Sequence, residues 1–366
     1  MKLHYVAPLL LLLGLYASCN KPRTNNPTPN PGNTDTTVTP PPKPADIIDV
    51  ASNVYIVGVQ SEDSSFKLKY WNDGKAFTID SVRSPNVETD VSAPTSIFVA
   101  GTDVYIGGHT FNGASPGFEI GKYWKNGVPV VLTDSANKGR INSIFVLNND
   151  VYMAGHQVNQ LNNTVEYWKN GIAVPLIDAP EGGEAFSIFV SGTDVYVAGY
   201  DFVDYHQKQS AVYWKNGNRV VLSNDSIEQA EATSIVVSGT DVYVSGTVYT
   251  ASRTEAVYWK NGVRTVLSYQ NSPGDHANAI GVSGPDVYVA GRCADTAKYW
   301  KNGSQVNLTD GKFEGNALSL CVANGDVYIA GYDYDTPKYW KNGVEHIIKK
   351  EPWNETGRAY AIFVAP

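Results

Sequence analysis

The chain has 366 residues, 28 Lys and Arg against 36 Asp and Glu, and a formal net charge of −8. That mildly acidic balance, with no basic run to interrupt it, argues against nucleic acid as a partner. Three cysteines in so long a chain make no disulfide framework, and no apolar segment reaches the ~20 residues that a membrane-spanning helix needs.

In chain order, Lys2 is followed by an apolar run over residues 6–16 and then by Ala17-Ser18-Cys19. A basic residue, a short hydrophobic stretch and small residues before a cut site predict a secretory leader over residues 1–18. Cys19 after Ala17-Ser18 resembles the lipobox of bacterial lipoproteins, with Tyr16 where that family usually has Leu. The resemblance implies that Cys19 is acylated and becomes the mature N-terminus. Acyl chains worth about 0.8 kcal/mol per buried CH₂ would then anchor the protein almost permanently. Residues 19–45 are Pro, Asn and Thr with almost nothing to bury, and are expected to be an extended tether. The folded body is expected over residues 46–366.

That body is one unit written seven times. Val-Tyr recurs at Val54, Val104, Val151, Val195, Val242, Val287 and Val327, and Tyr-Trp ends at Trp71, Trp124, Trp168, Trp214, Trp259, Trp300 and Trp340. Only Trp353 stands outside the pattern. A spacing of roughly 40–50 residues is that of propeller blades. The fourth unit shows the expected strands: residues 187–190, 194–199, 211–214 and 220–222, all β-branched and aromatic runs between turn signals. Asn216-Gly217 suits the positive φ angles of a type I′ hairpin turn. Five other units repeat the Asn-Gly and the first has Asp73-Gly74. Four antiparallel strands repeated radially predict an all-β, seven-bladed β-propeller.

The chain ends on Arg358-Ala-Tyr-Ala-Ile-Phe-Val364, the first strand of a unit with nothing after it. The first unit has only a poor first strand at residues 47–50. The C-terminal strand is therefore expected to complete the first blade and close the ring, removing an open sheet edge. The seven Trp read as an inter-blade layer, each burying roughly 150–250 Å², about 4–6 kcal/mol gross. The Asp before six of the seven Val-Tyr pairs (Asp103, Asp150, Asp194, Asp241, Asp286, Asp326) reads as a turn residue bonding nearby backbone amides.

Function is expected where the copies differ. Four residues before the repeated Ile or Leu of the first strand stand Ala93, Arg140, Glu184, Glu231, His276, Asn316 and Arg358. After the Gly of the second strand stand Val59, His109, His156, Tyr200, Thr247, Arg292 and Tyr332. Both rings are expected at the channel mouth, as a ligand site or as a mutually satisfied polar plug. His109 and His156, with His206 and His276 on their face, offer imidazoles to a metal. No local ligand motif accompanies them, and neither a metal nor a cofactor is expected. Glu184 and Glu231 offer an acid/base pair for glycoside chemistry. Tyr200, Phe202, Tyr205, Tyr249, Tyr332 and Tyr334 suit carbohydrate or peptide recognition.

The units resemble the broad propeller group of WD-repeat, kelch and NHL proteins over residues 47–366. They lack the Trp-Asp ending, the kelch double glycine and the Ser-x-Asp-x-Gly-x-Thr-Trp box of sialidases. The whole layout of lipobox, Pro/Thr tether and YWKNG units resembles the propeller lipoproteins of Bacteroidota. In that group a short acidic run after the cysteine favours surface export, whereas here Asn20-Lys21-Pro22-Arg23 follows. The expectation is a monomeric binding module, lipid-anchored at the outer membrane, for glycans, peptides or an envelope protein. The alternative is an enzyme acting on glycans at the same mouth, with no catalytic residue assigned.

Overall fold

The computed structural model describes residues 50–365 except 52, 63–64, 83–92, 112–118, 135–136, 159–162, 177–181, 204–207, 224–228, 269–273 and 349–355. The leader, Cys19, the tether, residues 47–49, Tyr205, His206 and Trp353 lie outside the described residues. Among the described residues no helix is long and apolar enough to cross a membrane.

Seven four-stranded antiparallel sheets make the seven blades. Six take four consecutive strands each. Blade 4, for example, runs Gly183–Ser191, Asp194–Val203, Lys208–Lys215 and Asn218–Val221. Blade 1 combines Val54–Glu62, Ser65–Asn72 and Lys75–Val82 with the C-terminal strand Gly357–Val364. The ring closes as the sequence predicts. Ile56 pairs with Ile362, and Ala365 N–H donates to the Asn53 carbonyl at 2.8 Å.

The turns behave as their residues dictate. Asn126, Asn170, Asn216, Asn261, Asn302 and Asn342 have φ between 49° and 52°, each followed by a Gly at 80–82°. Two successive positive φ values are the type I′ requirement. These asparagines also do something the sequence reading missed. Asn216 accepts the Val195 N–H through Oδ1 at 2.9 Å and donates to Asp194 at 2.9 Å. Asp194 also takes Lys215 Nζ at 2.8 Å and the Tyr196 hydroxyl at 3.4 Å. The repeated Asp therefore bonds side chains, while the Asn takes the backbone amide. The reason is geometric: the αL Asn of the outer turn reaches across to the start of the second strand. Blades 2 to 7 repeat this clamp.

All seven repeated Trp are at most 1% exposed. Trp214 of blade 4 packs with Tyr152 and Val165 of blade 3, and Trp71 of blade 1 with Tyr328 and Tyr339 of blade 7. The inter-blade layer is thus as expected.

Each inner strand carries a β-bulge at one repeat position, held by Thr95, Asn142, Phe186, Thr233, Asn278, Leu318 and Tyr360. The bulge drives the inner strand against the Gly of the second strand. A Cβ on Gly199 would sit 1.9 Å from the Glu184 carbonyl oxygen, and one on Gly331 1.9 Å from that of Asn316. Only glycine fits there. Four bulge side chains stitch the ring by donating to the next inner strand. Thr95 bonds the Ile141 carbonyl at 2.7 Å, Asn142 that of Ala185 at 2.9 Å, Thr233 that of Ala277 at 2.6 Å, and Asn278 that of Ala317 at 2.8 Å.

Candidate functional site

The two variable rings are partners. The antiparallel register sets Ala93 opposite His109, Arg140 opposite His156, Glu184 opposite Tyr200 and Glu231 opposite Thr247. It continues with His276 opposite Arg292, Asn316 opposite Tyr332 and Arg358 opposite Val59. The bulge two residues along fixes this register on every blade, so the fourteen variable positions lie at one end of the two inner strands. They fall into three sectors.

In the first, the Arg140 guanidinium grips the Glu119 carboxylate through Nε, at 3.2 Å, and Nη2. His109 lies beside them, 4% exposed, with Nε2 4.0 Å from Glu119. Burial and the neighbouring Arg140 charge push the His109 imidazole down to about 4. Glu184 receives Asn142 Nδ2 at 2.9 Å and has His156 Nδ1 at 3.5 Å. Burial opposes its ionised form, but His156, Arg140 and Asn142 outweigh it and hold Glu184 below the ordinary carboxylate range.

Among the described residues the acid of the second sector has no cation against it. Glu231 accepts the Tyr249 hydroxyl at 2.8 Å. Burial raises the Glu231 pKa against that hydrogen bond, and the Glu184 charge raises it further. Burial, with the Glu184 and Glu231 charges, likewise pushes the Tyr200 phenol upward. His276 meets Thr247 Oγ1 at 3.3 Å and, through burial and the Arg292 charge, is pushed down to about 4.

In the third sector Arg292 Nη1 donates to Glu314 at 3.0 Å, and the Tyr332 hydroxyl donates to the same oxygen at 2.8 Å. Arg358 is exposed, its guanidinium 4.5 Å above the Tyr332 ring. Asn278 joins Asn316 at 2.7 Å.

Arg140 therefore pairs with Glu119 and Arg358 stacks on Tyr332. Of the recognition aromatics, Tyr332 is only 3% exposed and its ring serves as the floor under Arg358, whereas Tyr334 is 61% exposed. The sequence reading missed Glu119, Glu314, Asn142 and Phe313. A charged residue just outside a strand end, as Glu314 lies before Gly315–Ala323, was the available signal. Among the described residues no group of three or more His, Cys, Asp and Glu is placed to hold a metal ion. A cavity of about 210 Å³ lies between blades 2 and 3, lined by Val131, Leu132, Thr133, Asp134, Asn137 and Gln157. It is smaller than the ~300 Å³ at which ligand pockets usually begin.

No protein-family profile and no curated protein matches the chain. Among solved structures, a chain of a nidogen/laminin complex is similar at 11% identity and TM-score 0.37, over 72% of this chain and 92% of that one. A computationally designed protein, Ika8, is similar at 12% identity and TM-score 0.39, over 82% of this chain and 98% of that one.

Proposed function

We propose that the protein is a binding module, lipid-anchored at the cell envelope through Cys19 and akin to the propeller lipoproteins of Bacteroidota, that captures its ligand on the loop face. One observation carries the binding reading. The parts that hold the ring together are copied almost blade for blade, while fourteen positions that the register gathers at one channel mouth differ around it. A structural plug needs satisfied groups. The first sector matches its charges in that way, Arg140 on Glu119 and Asn142 on Glu184, although His109 Nδ1 is buried without a partner among the described residues. The second leaves the half-buried Glu231 carboxylate with no partner but the Tyr249 hydroxyl among the described residues, and the third leaves Arg358 exposed. The purified full chain as Cys19→Ser, screened on glycan and peptide arrays, tests it. Binding that Glu231→Gln or Arg358→Gln weakens supports the reading, and an array blank at every position counts against it. In cells, Cys19→Ser protein should leave the membrane fraction, and its persistence there would refute the anchor.

The alternative, glycan chemistry, rests on Glu184 and Glu231. Their surroundings push them in opposite directions, Glu184 toward the carboxylate and Glu231 toward the acid. That division of labour is what an acid and a base require. Release of reducing ends from an array-positive glycan, lost in Glu231→Gln, would promote it over simple binding.

A further inference from the structure

The third sector holds a combination found nowhere else on the described face. Phe313 is 56% exposed and Tyr334 61% exposed, and their rings stand together, centroids 5.0 Å apart and tilted by 50°. Exposed aromatic pairs are unusual on a surface that gains nothing from them. Tyr334 is moreover held at φ 57°, the first position of the two-residue turn between Asp333 and Thr336. Glycine is the ordinary occupant of such a position, because a side chain there strains the backbone. Ala294 at the equivalent turn of blade 6 has φ 48°, so the turn sets this backbone, and at Tyr334 it displays an aromatic ring to solvent.

This pair is wired to the channel mouth. The Tyr334 N–H donates to the Glu314 carbonyl at 2.8 Å, and the Glu314 carboxylate takes the Tyr332 hydroxyl, also at 2.8 Å. The Tyr332 ring in turn carries Arg358 at 4.5 Å. Charges around the sector are mostly matched: Arg292 with Glu314, Lys338 with Asp333 and Glu345, Lys312 with Asp310. Among the described residues Asp335, beside Tyr334 in the turn, forms no ion pair, and neither does Arg358, although the chain as a whole is acidic at −8. A stacked guanidinium is oriented before any ligand arrives, and its planar fork fits a carboxylate through two parallel hydrogen bonds.

We propose that this sector, across blades 7 and 1, is a subsite for a carboxylated sugar. The apolar face of a pyranose lies on Phe313 and Tyr334, and its carboxylate is taken by Arg358. A neutral sugar would leave the guanidinium's charge unmatched, and an Asp or Glu side chain carries no ring of its own to place on the aromatic pair beside its carboxylate. The proposal rests on the loop-face binding reading and names its ligand class.

The test uses the full chain as Cys19→Ser with three acidic probes, an oligogalacturonate, an oligomannuronate and sialyllactose, each beside its methyl ester. Titration calorimetry should show at least one acid binding, with its ester about tenfold or more weaker, the scale of a lost charge-assisted pair. Arg358→Gln should erase the acid-to-ester difference. Phe313→Ala should weaken acid and ester alike. Neither should move the melting temperature, since both side chains are exposed. Failure of all three acids to bind, or unchanged affinity in both variants, overturns the subsite. If an array then finds another ligand that Glu231→Gln weakens, the subsite falls and loop-face binding stands. If no ligand is found, both fall.

Discussion

Lowering the pH should loosen the channel mouth, and the loss should come through two histidines. His109 and His276 are both pushed down to about 4, by burial first and then by Arg140 and Arg292 respectively. In the unfolded chain each returns to ~6.5. Between those values the unfolded state binds more protons, so the stability that neutral histidines confer is intact above ~6.5 and drains away as the pH falls toward ~4. At pH 5 an unfolded histidine is almost wholly protonated and a folded one about a tenth, which costs roughly 2 kcal/mol per residue. In a domain of this size that is about 4 °C in melting temperature for each. Calorimetric melting from pH 7.5 to 4.5 reads it directly, in wild type, His109→Gln, His276→Gln and the double variant. Glu184, held below the ordinary carboxylate range, and Glu231, pushed above it, act with opposite signs as the pH falls: the first loses stability as it is protonated, the second gains. Both are shared by all four proteins, so the differences isolate the histidines. Each single variant should flatten the wild-type decline between pH 6.5 and 5, and the double variant should flatten it most. A double variant that declines as steeply as wild type would refute the assignment.

Arg140→Ala should cost about 1–2 kcal/mol after allowance for solvent screening, since Glu119 loses its bidentate partner. Arg358→Ala, over Tyr332 and exposed, should stay within about 0.5 kcal/mol. Equal melting temperatures for the two variants would contradict the pairing. Removing residues 358–366 takes away Ile362 and Val364, each 5% exposed, at about 1.5–3 kcal/mol apiece. It also uncovers the edge of Val54–Glu62. Light scattering on warming should show aggregation well below the wild-type transition, and a truncated protein as soluble and stable as the parent would refute ring closure. Gly199→Ala should destabilise by at least about 1–3 kcal/mol in urea, because the new Cβ meets the Glu184 carbonyl oxygen at 1.9 Å. Gly192→Ala, whose Cβ meets nothing within 4 Å, should cost only the strain of a side chain at φ 61°, and the reverse ranking would exclude the close-approach explanation.

The architecture was legible because a propeller repeats its physics. Val-Tyr, Tyr-Trp and Asn-Gly each solve a local problem that recurs seven times: a buried strand, an inter-blade wedge, a turn with two positive φ values. Even ring closure could be read, since an unpaired first-strand pattern at the end of the chain has one sensible partner. The Asp clamp was harder. Its partners, Lys215 and Asn216 for Asp194, are about twenty residues away, and which atom of an Asn meets a backbone amide depends on the αL backbone beneath it. For the site, sequence placed the two rings and missed what joins them. Arg140 could have paired with Glu184 or with Glu119, and only the position where the third strand of blade 2 begins decides for Glu119.

The bulge explains how a copied scaffold carries a variable mouth. Because one extra residue interrupts each inner strand at the same place, the strand bends toward the second strand and forces a glycine there. The bulged side chain is turned toward the neighbouring blade, where Thr and Asn stitch the ring. Residues on the mouth side of the bulge then carry less of the work of holding the blades together, although Glu184 and Asn316 still take the Asn142 and Asn278 amides, and can vary. The constraint passes to the bulge and its glycine. Where the bulged residue cannot donate, as at Phe186, the junction keeps the contact that other junctions make besides the bulge bond: the Ile235 N–H bonds Ser187 Oγ at 3.2 Å, as Ile144 N–H bonds Ser96 Oγ at 3.1 Å. Substitutions at Glu231 or Arg358 therefore probe ligand chemistry, whereas substitutions two residues further into the strand probe the ring itself.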